Sequence, residues 1–121
     1  MSDIRVYGEA EIRERIAREL PRWIFEDGCL RRTYRTHGWK GTLMALNAVG
    51  HLAEAAWHHP DLTVSYDRVT ISLMTHSAKG VTDKDFELAS QIEDMVMWRP
   101  PAGSALEGTP DDVRFAYIRD E

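Results

Sequence analysis

Trp23-Ile24-Phe25-Glu26-Asp27-Gly28-Cys29-Leu30-Arg31-Arg32-Thr33-Tyr34-Arg35-Thr36 reads as two β-prone runs broken by an Asp-Gly pair. Asp-Gly accepts the positive φ angles of a tight turn, so the stretch is expected to fold back on itself as two antiparallel strands. A second hairpin is expected downstream. There Leu62 to Tyr66 alternates apolar with polar, Asp67-Arg68 can turn the chain, and Val69, Ile71 and Leu73 alternate with Thr70, Ser72 and Met74. Two hairpins can join into one four-stranded antiparallel sheet.

Helical periodicity fills the gaps around the hairpins. Ile12, Ile16 and Leu20 recur at helical spacing between Glu9 and Leu20, and Pro21 stops the run. A second helix is expected from about Trp39 to Trp57. Steps of about 100° gather Leu43, Leu46, Val49, Gly50, Ala53, Ala56 and Trp57 on one stripe and Asn47, His51, Glu54 and His58 on another. Glu54 and His58 are then neighbours one turn apart. Pro60 pushes His59 out of helical conformation, so this helix is expected to end at the two histidines. Thr82 is a plausible N-cap for a third helix, with Asp83 and Asp85 in its first turn and Phe86, Ala89, Ile92 and Val96 on its buried face. The fold class is therefore α+β. The order is α-β-β-α-β-β-α, with a four-stranded antiparallel sheet carrying three helices on one face and leaving the other to water or a partner.

At 121 residues the chain suits one domain, read as 1–98, followed by an extension at 99–121. The extension is Pro/Gly-rich and then briefly β-like over 113–118. Hydrophobic residues at 43% and charged residues at 29% are the balance of an ordinary globular protein. No apolar run approaches the roughly 20 residues of a membrane span. The start, Met1 to Arg5, lacks the basic and apolar regions of a secretory signal, so a cytoplasmic setting is expected. A net charge of -5 opposes binding to nucleic acid. Arg31, Arg32 and Arg35 form one basic patch, read as a solvated face or an interface. Cys29, the single cysteine, reads as a core or strand thiol.

Among five histidines, His37 and His51 read as surface or hydrogen-bonded residues. His58 and His59 differ, because an adjacent pair at a helix end, preceded by Glu54 and fixed by Pro60, is held near His76 after a neighbouring strand. Neutral imidazole accepts or donates a proton near pH 7, which suits acid and base work on a small molecule. Three histidines with a carboxylate could also bind zinc. The chain, however, has neither the His-Glu-x-x-His spacing nor a Cys-x-x-Cys pair, and no metal ligand is assigned. A Gly-x-Ser-x-Gly nucleophile elbow and phosphate-cradling glycine loops are also missing from the sequence.

Glu54-Ala55-Ala56-Trp57-His58-His59-Pro60, then Tyr66, then Leu73-Met74-Thr75-His76-Ser77-Ala78-Lys79-Gly80-Val81-Thr82-Asp83-Lys84-Asp85, resembles the signature of the pterin-4a-carbinolamine dehydratases. The shared offsets are an acidic residue four before the first histidine, the His-His-Pro triplet, an aromatic six after the proline, a histidine ten further on and an aspartate nine beyond that. The resemblance spans roughly Leu20 to Trp98. It implies a four-stranded antiparallel sheet with three helices, association as dimers or tetramers, and dehydration of a 4a-hydroxytetrahydropterin to quinonoid dihydropterin without a metal or organic cofactor. On the same resemblance, His58 and His76 are the acid and base, with His59 assisting, and which does which stays open. Glu54 would orient an imidazole or bind the pterin, Pro60 and Tyr66 would line the site, and Asp85 would hold substrate or structure near its mouth. Lys84 stands where the family often has arginine, keeping the charge without the planar fork. The extension resembles that of dehydratase-like proteins of α-carboxysomes, which act as assembly factors for ribulose bisphosphate carboxylase. Such a role is the alternative expectation.

Overall fold

A computed structural model describes residues 4–119, so the first three residues of the leader reading and the last two of the extension lie outside the described residues. The elements are α1 (Glu9–Glu19), β1 (Ile24–Glu26), β2 (Cys29–Arg35), α2 (Trp39–Ala56), β3 (Asp61–Ser65), β4 (Arg68–Leu73), a short 3-10 turn (His76–Ala78) and α3 (Asp83–Val96). The strands form one antiparallel sheet in the order β1-β2-β4-β3, matching the expected architecture. Asp27 and Gly28, at φ 52° and 78°, make the β1-β2 turn that the Asp-Gly pair predicts.

Alternation along β2 and β4 decides which sheet face carries the core. Leu30 and Tyr34 of β2 and Val69, Ile71 and Leu73 of β4 are buried under the helices. Against them pack Ile12 and Ile16 of α1, Ala45 and Val49 of α2, and Phe86, Ala89, Ile92 and Val96 of α3. The opposite face presents Arg31, Thr33 and Arg35, Thr70 and Ser72, and Thr63 and Ser65, a polar surface on which Arg31 Nε donates to Ser72 Oγ at 3.0 Å and the Thr33 and Thr70 hydroxyls lie 2.9 Å apart. Cys29 begins β2 as a half-buried free thiol, and burial raises its pKa.

Three sequence expectations are corrected. Arg32 is not a solvated patch residue: its side chain is 7% exposed and its Nε donates to Glu93 of α3 at 2.9 Å. Alternation puts it on the core face, opposite to Arg31 and Arg35. The buried stripe of α2 is Gly41, Thr42, Ala45, Val49 and Ala53, while Leu43, Gly50, Ala56 and Trp57 are exposed. A hydroxyl anchor rotates the helix, since Thr42 Oγ1 lies 2.7 Å from Thr36 Oγ1 and donates to Tyr66 O at 3.0 Å. Small residues at Gly41 and Ala45 then permit close approach, where hydrophobicity alone favours the larger leucines. Finally, the β-like 113–118 segment reduces to one bridge, Ile118 to Thr36, with turns before it.

Candidate active site

Where α2 ends, Trp57 takes left-handed conformation at φ 51°, His58 N–H donates to Ala53 O at 3.0 Å, and Trp57 N–H donates to Glu54 O at 3.2 Å. This is the double hydrogen bond of a Schellman cap, with tryptophan where glycine is usual. The turn takes His58 off the helix, so the expected Glu54–His58 pairing fails. Glu54 Oε1 instead lies 2.9 Å from His59 Nε2 on the surface, and the Trp57 ring meets His59 edge-on at 4.9 Å.

His58 turns inward, where its Nε2 lies 2.6 Å from Asp85 Oδ1. Asp85, expected to hold substrate or structure near the mouth, has a fully buried side chain that meets His58. Its position follows from α3, whose N-cap Thr82 donates its backbone N–H to Asp85 Oδ2 at 2.9 Å in a capping box. Thr75 Oγ1 donates to the same oxygen at 2.8 Å and lies 2.7 Å from Thr82 Oγ1. With Oδ2 taken by two donors, Oδ1 is left for the imidazole. A carboxylate at Nε2 fixes the ring proton there, leaving the Nδ1 lone pair as a proton acceptor.

His58 lines a groove of about 450 Å³ between the end of α2 and the start of α3, shared with Leu52, Ala56, Lys84, Glu87, Leu88 and Gln91. His76 opens the 3-10 turn beside Thr75 and is exposed. Because β4 runs antiparallel to β3, with Asp61 opposite Ser72, His76 returns to the sheet end from which Pro60 departs. The three histidines, Glu54, Pro60, Lys84 and Asp85 thus share one end of the molecule.

Tyr66 does not. It follows the last residue of β3, and five residues of extended strand carry it about 17 Å away. It borders a different cavity, with His37, Trp39 and Tyr117. The sequence reading missed Thr75 and the buried state of Asp85. The Thr82-x-x-Asp85 spacing signals a capping box and could have assigned the carboxylate to the helix start. Nothing local reveals that Thr75 and His58 converge on it. Among the described residues no group of three or more His, Cys, Asp or Glu side chains is arranged to hold a metal ion, and no helix is long and apolar enough to cross a membrane.

A protein of Aquifex aeolicus, provisionally named pterin-4-alpha-carbinolamine dehydratase, is 39% identical over 77% of this chain and 93% of its own length. A relative from Chloroflexus aurantiacus with the same provisional name is 42% identical over 73% of this chain and 94% of its own. The crystal structure of a transcriptional coactivator/pterin dehydratase from Brucella melitensis superposes with a TM-score of 0.69 at 26% identity, covering 76% of this chain and 99% of that one. Residues 5–95 match the family described as pterin 4 alpha carbinolamine dehydratase, which takes in α1 through nearly all of α3, and the chain belongs to that family.

Proposed function

We propose that the chain dehydrates a 4a-hydroxytetrahydropterin by histidine acid/base catalysis, with His58 as the base. The observation that carries this reading is the 2.6 Å contact between His58 and the buried Asp85 at the wall of an open groove. In the reaction the carbon-oxygen bond at C4a breaks, water leaves with an added proton, and the ring nitrogen N5 gives up its proton. His58 Nδ1 takes the N5 proton, and the Asp85 carboxylate stabilises the imidazolium that forms. His76, exposed to solvent, protonates the departing hydroxyl, with His59 and its Glu54 partner assisting. Lys84 lies on the groove wall, where it can meet the polar edge of the pterin.

The test is the rate of dehydration by the intact protein and by His58→Ala and His76→Ala. Each substitution is expected to lower the rate by about 10²–10⁴-fold, the usual worth of a positioned acid or base. Variants as fast as the intact protein would reject the assignment.

A second reading is favoured by the extension. Residues beyond 99 fold back onto the domain: His37 N–H donates to Tyr117 O at 3.0 Å, Arg119 N–H to Arg35 O at 2.8 Å, and Ile118 is 3% exposed. An addition packed at the end remote from His58, His59 and His76 supports a non-catalytic role, assembly of ribulose bisphosphate carboxylase. Co-expression is expected to raise the yield of assembled carboxylase, and an unchanged yield with both proteins expressed would count against it.

A further inference from the structure

The end of the molecule opposite His58 carries a site that the dehydratase reading does not use. There β2 finishes, β3 turns into β4, α2 begins and the extension returns, about 27 Å along α2 from the histidines. Trp39, Met44, Tyr66 and Tyr117 wall a cavity of about 350 Å³, with His37 and Lys40 at its border. Trp39, Met44 and Tyr66 are 49%, 49% and 69% exposed, so large apolar side chains stand at the surface without serving the core.

The wall made by Tyr117 is preformed. A Cβ on Gly41 would lie 2.9 Å from Tyr117 Cβ, so glycine lets the ring seat directly on α2. The backbone bonds of Tyr117 and Arg119 to His37 and Arg35 hold it there. Tyr117 lies beyond the residues that match the family, so this wall of the cavity comes from outside the family-matched chain.

Charge distinguishes the occupant. None of the lining residues is acidic, while His37, Lys40 and Arg114 are basic, in a chain of net charge -5. Arg114 is neutralised by Asp112 at 3.0 Å, but Lys40 has no acidic partner among the described residues. Arg68, opposite Arg35 at the same end, is held by Asp67 at 3.2 Å, so Lys40 supplies the basic edge of the socket. An apolar socket with a basic border complements a segment that is acidic around one large apolar side chain.

We propose that this end docks an acidic segment of a partner protein, with an aromatic or large aliphatic side chain of the segment inserted between Trp39, Tyr66 and Tyr117. The proposal stands independently of the dehydratase reading.

The test is fluorescence polarisation of the full chain with a short labelled peptide in which one tryptophan is flanked by glutamates. Saturable binding is expected, weakened at least about tenfold when lysines replace the glutamates or serine replaces the tryptophan. Lys40→Glu and Met44→Glu should each weaken it about as much. Lys40→Glu puts a carboxylate in the first turn of α2, which favours the helix, so its effect is not one of misfolding. His58→Ala should bind the peptide unchanged. No saturable binding up to about 1 mM peptide, binding undiminished by Lys40→Glu, or equal binding of the lysine peptide or of a DNA oligonucleotide would overturn the proposal.

Discussion

Glu93 accepts from Trp23 Nε1 at 3.0 Å, Arg32 Nε at 2.9 Å and Tyr34 Oη at 2.6 Å, all on one carboxylate oxygen. These bonds tie α3 to β2 and to the chain entering β1. Burial alone would raise the Glu93 pKa, but the bonds from Arg32 and Tyr34, the Arg32 charge and the Trp23 bond outweigh it and lower the value. Burial, then the Glu93 contact, raises the Tyr34 pKa well above the ordinary range. A carboxyl whose folded pKa is depressed stabilises the fold fully above its unfolded value. That contribution is lost as pH falls from the ordinary 4.5 through the folded value. Glu93→Gln leaves Arg32 buried without its counter-charge and should cost about 3 kcal/mol in urea unfolding at pH 7. The gap to the intact protein should shrink as pH falls below 4.5 and through the depressed folded value, because Glu93 then loses its own charge. A pH-independent gap would show that the charge is not what matters there.

Each end of α2 is set by one unusual residue. At its C-terminus Trp57 holds a left-handed conformation that costs an L-residue about 1–2 kcal/mol. Trp57→Gly should therefore raise unfolding free energy by about 1 kcal/mol, measured by urea titration, while keeping the cap. A loss of stability would mean that the ring contact to His59 outweighs the backbone strain. At the N-terminus, Gly41→Ala gains about 1 kcal/mol of helix propensity but drives a methyl against Tyr117. The extension should yield rather than the helix, so trypsin should cut at Arg114 or Arg119 faster with the thermal midpoint unchanged or higher. Unchanged cleavage would show that the ring can move aside while the strand bridge holds.

These elements also show what could be read from the chain. Ile12, Ile16 and Leu20 and the Phe86 to Val96 stripe were legible because burial follows a period that the sequence displays. The α2 stripe was not, because Thr42 and Gly41 set its rotation through Thr36 and Tyr117, which lie in other elements. Glu54 and His58 were misread for a related reason: one left-handed residue, Trp57, cancels the helical spacing between them. The histidines themselves were legible through Pro60 and the hairpin topology, which bring His58 and His76 to one end.

Across the whole molecule the two ends of α2 divide the surface into a histidine groove within the family-matched chain and an aromatic socket completed by the extension. The sheet and core separate them, so a substitution at one end should leave the other intact. In the proposed reaction, His58 on the groove wall and the buried Asp85 behind it act as one unit in proton transfer, and residues that act as a unit show non-additive losses. The most direct measurement is therefore the dehydration rate of the intact protein, His58→Ala, Asp85→Asn and the double variant. The intact protein should accelerate dehydration of 4a-hydroxytetrahydropterin, each single change should slow it at least about a hundredfold, and the double variant should be no slower than His58→Ala. No acceleration by the intact protein, or losses that multiply in the double variant, would contradict a catalytic His58–Asp85 pair.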